Sequence, residues 1–254
     1  MNPIGVRVGG REIRVNQEGV GRLPVDSAEN YSVQFPDRGF LSDSRGEVRC
    51  LQAIVNRLGR SDAIHSVLET SSRIGITVPV WSEDLRAGRM LLNNPLGDQA
   101  AQLAYNFPEA EVFSEDIQTW VWPEVDLVYA DMNTFTLRKL DAWRFIFRKA
   151  HEESGARWLT FVDSCCFGFR FGQRASYLAY GPTEEYYWQA LRKTLRDEFG
   201  WAIRFGCRYD RAALLAADRA DRADRSDLSL MEWVPPGDKS VDLINSDSVR
   251  RGFF

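Results

Sequence analysis

Short apolar segments alternate with amphipathic stretches along most of the chain. Between residues 42 and 58 the apolar side chains recur at spacings of three and four, as on one face of a helix, and Gly59 follows as an end signal. The pattern predicts helices over 42–58, 76–85 (with Pro79 marking the real start), 96–106, 136–153, 184–199 and 211–225. It predicts strands over 63–69, 89–93, 110–113, 125–130, 157–162, 201–205 and 228–234.

This alternation of strands and helices predicts an α/β fold with a doubly wound, mostly parallel sheet and helices on both faces. Ahead of it, residues 5–15 predict a hairpin around two glycines, and residues 31–35 predict a further strand. We therefore expect a small β appendage over 1–41, the main α/β domain over 42–236, and a polar, mobile tail over 237–254.

Polar residues follow five consecutive predicted strands. Because the carboxyl ends of parallel strands share one edge of a sheet, and ligands of open α/β sheets bind there, the series predicts a binding cleft. The first corner, residues 66–77, joins a strand, a turn of small residues and a helix start, where free backbone N–H groups can meet a ligand, although a strand that simply ends in a turn looks the same. The polar residues are Glu69, Asn93, Asn94, Glu115, Asp116, Asp131, Asp163 and Ser164.

Composition and charge narrow the function classes. The net charge of −4 weighs against tight electrostatic binding of long nucleic acid, although it leaves room for a local basic face. Four cysteines without C-x-x-C pairing indicate buried free thiols in a reducing cytoplasm, and no metal site is expected. We see no leader sequence and no run of about 18 apolar residues, so neither secretion nor a membrane span is expected.

The order of these motifs resembles that of the class I S-adenosylmethionine-dependent methyltransferases over residues 42–234. Val67-Leu-Glu69, followed by small residues and Gly75, resembles their first motif, which lies against the amino-acid part of the cofactor. The segments E-T-S-S-R-I-G-I (69–76), L-N-N (92–94) and S-E-D (114–116) are most similar to the catalytic domain of the tRNA guanine-N2 dimethyltransferases. The resemblance implies a Rossmann-like fold and S-adenosylmethionine as the cofactor.

The resemblance also implies roles for individual residues. Asp131 and Asn133 would accept hydrogen bonds from an exocyclic amine and orient its lone pair, since positioning supplies most of the catalysis in such a transfer. Phe135 would stack on a base, and an aromatic and arginine-rich connection over 164–181 would contact nucleic acid through Arg170, Arg174 and Tyr177. The implied cofactor-binding residues are Glu69, Ser71, Ser72, Arg73, Gly75, Asn93, Asn94, Asp116 and Ile117.

Several of these positions have structural alternatives. Asp131 could cap the helix that follows it, Glu69 could form a salt bridge at the strand end, and Asp116 could cap its own loop. The connection over 164–181 could be a lid that packs its aromatic side chains on the sheet edge.

Three departures from the family pattern bear on activity: Arg73 stands at a glycine position, Asn94 replaces a carboxylate, and D-M-N-T-F fills 131–135. We expect a methyltransferase that acts on a nucleic acid base, on RNA rather than DNA, with guanine N2 as the acceptor. A catalytically inactive methyltransferase-like binding module is one alternative. A methyltransferase for a small molecule or a protein, which the acidic net charge favours, is another. The sequence leaves open whether the protein is an active enzyme and what its oligomeric state is.

Overall fold

The computed structural model describes residues 4–8, 11–15, 38–61, 63–70, 72, 75–131, 139–163, 184–209, 212–219, 231–237 and 241–244. The helices are α1 (Arg38–Ser61), α2 (Gly97–Asn106), α3 (Lys139–Glu152) and α4 (Glu184–Phe199), and a π-helical turn spans Val80–Leu85. The strands are β1 (Ile4–Val8), β2 (Arg11–Val15), β3 (Ser66–Glu69), β4 (Arg89–Asn93), β5 (Glu111–Phe113), β6 (Leu127–Asp131), β7 (Trp158–Asp163), β8 (Trp201–Tyr209), β9 (Ala212–Arg219), β10 (Glu232–Trp233) and β11 (Val241–Ile244).

The main sheet confirms the predicted α/β fold. Among the described residues it has eight strands in the order β10-β8-β9-β7-β6-β3-β4-β5. Strand β9 runs antiparallel to both of its neighbours, and every other pairing in the sheet is parallel. The carboxyl ends of β3, β4, β5, β6 and β7 therefore lie along one edge, as the sequence predicted.

Helices cover both faces of this sheet. On one face lie α1 and the π-helical turn, and on the other lie α3 and α4. Trp143 and Phe147 of α3 stack with ring centroids 5.8 Å apart inside the second face. The predicted apolar stripe of α1 is fully buried and consists of Val48, Leu51, Ile54, Val55 and Leu58.

The predicted helix over 211–225 is wrong, because residues 212–219 form strand β9. Its sequence, A-A-L-L-A-A-D-R, is rich in good helix formers, but β9 is inserted between β7 and β8. Leu214 packs in the core on the α1 face, while its neighbours Ala213 and Leu215 pack in the core on the α3 face. A strand buried on both faces has no polar–apolar alternation to reveal it.

Most other boundaries agree with the sequence pattern, and β4 and α4 have the predicted limits. Helix α1 continues past Gly59 to Ser61, so that glycine does not end it. Pro79 is the N-cap of the π-helical turn with φ −59°, which confirms the predicted start. The predicted strand over 31–35 and the connection over 164–181 lie outside the described residues.

A second, smaller sheet combines both ends of the chain in the order β11-β1-β2. The antiparallel pairing of β1 with β2 confirms the predicted hairpin. The expectation of a mobile tail from residue 237 is wrong at 241–244, because β11 pairs antiparallel with β1. The sequence V-D-L-I provides β-branched and apolar residues, and the open edge of the hairpin provides backbone partners. The division into three regions stays a prediction.

Two of the four cysteines lie in the described part of the chain. Cys50 and Cys207 are buried free thiols, as predicted. Cys165 and Cys166 lie outside it. No described helix combines the length and the apolar character that a membrane span needs.

Candidate functional site

The carboxylate of Glu69, at the carboxyl end of β3, is buried with 3% of the residue exposed. The Thr77 hydroxyl lies 2.8 Å from both carboxylate oxygens, and Trp81 Nε1 donates to Oε2 over 2.8 Å. Burial raises the pKa of Glu69, hydrogen bonds from Trp81 and Thr77 oppose that rise, and the charge of Asp131 adds to it. The Glu69 carboxylate therefore accepts its hydrogen bonds from side chains of the protein itself.

Two backbone N–H groups of the turn after β3 donate hydrogen bonds to neighbouring strands. Thr70 N donates to Tyr129 O over 3.0 Å, and Ser72 N donates to Asn93 O over 2.9 Å. The sequence predicted free N–H groups here, and at these two positions that is wrong because β4 and β6 flank the turn. Ser71 and Arg73 lie outside the described residues.

Gly75 has a backbone φ of +74°, a left-handed conformation that favours glycine. A Cβ atom at this position would lie 2.2 Å from Cε2 of Phe107 and 3.0 Å from Cδ2 of Leu103. The missing side chain therefore lets the turn pack against the end of α2. This is a packing role, and the predicted cofactor contact of Gly75 stays a prediction.

Two asparagines connect the ends of β3, β4 and β5. The buried Asn93 side chain donates to Thr70 O over 3.2 Å and to Glu115 O over 3.0 Å, and it accepts from Glu115 N over 3.0 Å. Asn94 donates to Ser72 O and to Gln99 Oε1, both over 2.8 Å. Its oxygen accepts from Leu96 N over 2.9 Å, just before α2 begins. Both side chains brace the loops of this edge.

The loop after β5 carries the predicted adenine-contacting residues. Asp116 is exposed, and its Oδ1 accepts from Gln118 N over 2.9 Å, so it caps its own turn as the alternative had it. Ile117 is half-buried and packs in the same cluster as Phe113 and Trp120. An exposed carboxylate thus stands next to an apolar surface.

Lys149 of α3 anchors this loop although only 6% of the residue is exposed. Its Nζ donates to Trp120 O over 2.6 Å and to Glu153 Oε1 over 2.9 Å. Glu153 Oε2 in turn accepts from Trp122 N over 2.9 Å. The ammonium group also lies 5.6 Å from the centroid of the Trp122 ring. The loop that presents Asp116 is therefore fixed to the helix behind it.

Asp131 is the last residue of β6 and is half-buried. In the parallel register Glu69 of β3 lies opposite Tyr129, so Asp131 stands two residues further toward the carboxyl edge. Its negative charge contributes to the raised pKa of Glu69. Asp163, at the end of β7, is instead buried and accepts from Trp143 Nε1 over 2.9 Å.

The described residues therefore bring together Glu69, Ser72, Asn93, Asn94 and Asp131 at one edge, with Asp116 and Ile117 in the adjacent loop. Asn133, Phe135, Arg170, Arg174 and Tyr177 lie outside the described residues.

Sequence reasoning missed the polar groups buried behind this edge. Trp81 packs edge-on against Tyr129 with ring centroids 5.4 Å apart. The Tyr129 hydroxyl donates to Glu47 of α1, which links that helix to β6. The only available signal was a glutamate in a helix otherwise predicted to bury an apolar stripe, and a tryptophan two residues after Pro79.

No protein-family model matches the chain, and a comparison with curated proteins gives no match. Among solved structures, the chain is similar to a candidate RNA methyltransferase from Pyrococcus horikoshii, with TM-score 0.52, 13% identity, and coverage of 77% of this chain and 91% of that one. It is also similar to the methyltransferase domain of the bacterial protein CtHen1, with TM-score 0.51, 7% identity, and coverage of 68% and 98%. The chain has a methyltransferase fold. At these identities the likeness concerns the fold alone.

Proposed function

We propose that this protein is an S-adenosylmethionine-dependent methyltransferase that acts on a nucleic acid base. One observation carries the proposal: Asp131 and the buried Glu69 end two neighbouring parallel strands at the carboxyl edge of a methyltransferase fold, where open α/β sheets bind their ligands. The cofactor, when bound, supplies an electrophilic methyl group on its sulfonium centre.

The residues at the edge fit the adenine end of this cofactor. The exposed Asp116 carboxylate can accept from the adenine amine, and Ile117 and Phe113 provide an apolar surface for the ring. Because Lys149 and Glu153 hold the loop from behind, this surface is preorganised for a flat ligand.

The ribose end fits less well. The Asn94 amide already donates to Ser72 O and to Gln99, and its oxygen accepts from Leu96 N. A ribose hydroxyl would have to compete with these bonds and would meet no charged acceptor at this position. A charge-assisted hydrogen bond is about twice as strong as a neutral one, so we propose that this protein binds the cofactor weakly.

Asp131 is the residue we propose to act on the acceptor. A carboxylate at the rim of the cleft can accept hydrogen bonds from an exocyclic amine and turn its lone pair toward the methyl group. The similarity to a candidate RNA methyltransferase supports RNA as the substrate class, and guanine N2 is an acceptor that presents such an amine.

A second candidate function is a methyltransferase-like binding module without catalysis. It is favoured by a specific observation, namely that Thr77 and Trp81 already donate to the Glu69 carboxylate while Ser72 and Gln99 accept from the Asn94 amide. Such a module would keep the fold and use the cleft edge for structure.

Methyl transfer from isotope-labelled cofactor to total RNA, DNA, a protein extract or a metabolite extract separates these functions. We expect label in RNA, and loss of that label in Asp131→Asn. The matched control is Asp98→Asn, an exposed carboxylate in the first turn of α2. Label in the protein or metabolite fraction instead of RNA would show that the methyltransferase acts on a protein or a small molecule. No label in any fraction would favour the binding module.

A further inference from the structure

A cavity of about 250 Å³ opens between α4 and β8. Its walls are cationic on the helix side and apolar on the strand side. The lining residues include Arg192, Lys193 and Arg196 of α4, and Trp201, Ala202 and Ile203 of β8.

This cavity is distinct from the cleft that holds Asp131. Strand β8 is antiparallel to β9, and β9 is antiparallel to β7, so β8 and β7 run in the same direction. Trp201 is the first residue of β8, whereas Asp131 is the last residue of β6. The cavity therefore lies toward the amino edge of the sheet, and the candidate methyl-transfer cleft lies at the carboxyl edge.

The cationic wall is only partly neutralised by neighbouring carboxylates. Arg196 pairs with Asp197 over 2.8 Å, and both side chains are about half exposed or more. Such exposed pairs contribute little and can exchange partners. The positive charge of Lys193 also acts on Asp197, and the guanidinium of Arg192 contacts Met231 Sδ over 3.6 Å. Among the described residues, Asp197 is thus the carboxylate that acts on both Arg196 and Lys193, in a protein whose net charge is −4.

Near the strand side of the cavity, two buried N–H donors have no hydrogen-bond partner among the described residues. One is Nε1 of Trp201, a residue with 0% exposure, and the other is Nε of Arg219. The Arg219 guanidinium carbon lies 5.7 Å from the centroid of the Trp201 ring. Leaving a buried donor unpaired is costly, so an acceptor that reaches it is stabilised.

We propose that this cavity binds a phosphate group, carried either by a mononucleotide or by one unit of a nucleic acid strand. Arginine and lysine side chains are the usual protein partners of phosphate oxygens. The volume is smaller than that of pockets for drug-sized ligands, which suits a single phosphate with little more than its sugar. The inference goes beyond the proposed methyltransferase function and does not depend on it.

The indole N–H resonances in ¹H–¹⁵N spectra of the full chain provide the test, with inorganic phosphate, adenosine monophosphate and a short oligouridylate as probes. The Trp201 resonance is assigned by its loss in Trp201→Phe. We expect each probe to shift this resonance at low salt. We also expect Arg192→Gln and Lys193→Gln to weaken the binding about tenfold each, as the loss of a charge-assisted contact implies.

The matched control is Arg148→Gln, which makes the same change of charge at an exposed position of α3 that does not line the cavity. Tighter binding of the oligouridylate than of the mononucleotide would identify a strand as the source of the phosphate, and equal binding would identify a free nucleotide. A mononucleotide held only at the carboxyl edge would leave the Trp201 resonance unmoved. An unmoved resonance with all three probes, or equal weakening by Arg148→Gln, would overturn the proposal.

Because Trp201→Phe alters a buried residue, the titrations of the two surface variants do not rely on it. Their affinities can be followed from any resonance that the probes shift in the unaltered protein.

Discussion

The indole nitrogen of Trp81 donates a hydrogen bond to Oε2 of Glu69 over 2.8 Å, and both residues are buried. The contact joins the end of β3 to the π-helical turn. The Glu69 carboxylate therefore accepts hydrogen bonds from within the protein. A ligand in the cleft would have to bind mainly to the residues around Glu69.

Replacing Trp81 by Phe removes the indole donor while keeping an aromatic ring. Hydrogen bonds to charged groups are worth about 1.5–3 kcal/mol, so we expect the free energy of unfolding to fall by about that much beyond the cost of the smaller ring. Urea unfolding measures the change. The control is Trp122→Phe, because Trp122 is equally buried and its Nε1 has no hydrogen-bond partner among the described residues. Equal losses in the two variants would show that the Trp81 bond contributes nothing.

The raised pKa of Glu69 predicts a pH dependence of stability. Its ordinary value is 4.5, and burial raises it in the folded protein. The folded state therefore binds this proton more tightly than the unfolded state. Stability is lost as the pH rises from the ordinary value up to the raised folded value, and is constant above it.

Glu69→Gln should remove this contribution. The free energy of unfolding of the variant minus that of the unaltered protein should therefore be higher, meaning a relatively more stable variant, at about pH 8 than at about pH 5. The Gln side chain can still accept from Trp81 and donate to the Thr77 hydroxyl. Glu124→Gln, at an exposed position, should change the free energy of unfolding by the same amount at both pH values. An identical pH profile in Glu69→Gln and the control would contradict the buried-acid assignment.

Alanine substitutions at Gly75 and Gly155 distinguish the cost of backbone strain from the cost of a steric clash. Both have positive φ, +74° and +62°, but a Cβ at Gly155 meets no atom within 4 Å, whereas one at Gly75 meets Phe107 at 2.2 Å. Gly155→Ala should cost about 1–2 kcal/mol from left-handed strain alone. Gly75→Ala should lower the free energy of unfolding clearly more than this. Adding Phe107→Leu to Gly75→Ala should recover part of the extra loss, because the smaller side chain makes room for the methyl group. Thermal unfolding of the three variants tests this, and equal costs at the two glycines would refute the packing role.

An aspartate at position 94, although it supplies the carboxylate that similar methyltransferases are expected to have there, should not improve cofactor binding. The Asn94 amide donates to Ser72 O and Gln99 Oε1, and a carboxylate would face these oxygens without a proton to offer. We expect Asn94→Asp to lower the free energy of unfolding by about 1–3 kcal/mol, the cost of unsatisfied buried groups. Asn56→Asp, exposed on α1, is the control. Tighter cofactor binding with unchanged stability would show that Asn94 is a ligand residue.

Local periodicity was enough to predict most of the main sheet and its helices. Strand β4 and helix α4 were predicted with their observed limits, because each has a clear pattern between clear end signals. Strand β9 was predicted as a helix, since its alanines and leucines favour a helix locally. The choice between helix and strand was made by β7 and β8, which bury both of its faces.

The candidate site was predicted by position more successfully than by role. The switch-point rule located Glu69 and Asp131 at the same edge, because strand direction alone determines that. The partners of Asn93 and Asn94 include groups 22 residues away in the chain, and no sequence pattern encodes such contacts. Thr77 and Trp81 escaped prediction for the same reason, since their roles depend on the fold of the turn after β3.

Calorimetric titration of the protein with S-adenosylhomocysteine tests the central proposal most directly. We expect binding that weakens about fivefold in Asp116→Asn, which keeps the cap on Gln118 but loses the charge at the adenine position, and that is unchanged in Asp98→Asn. Absence of binding at millimolar concentrations would contradict the cofactor proposal, and equal affinity in Asp116→Asn would contradict the assigned adenine site.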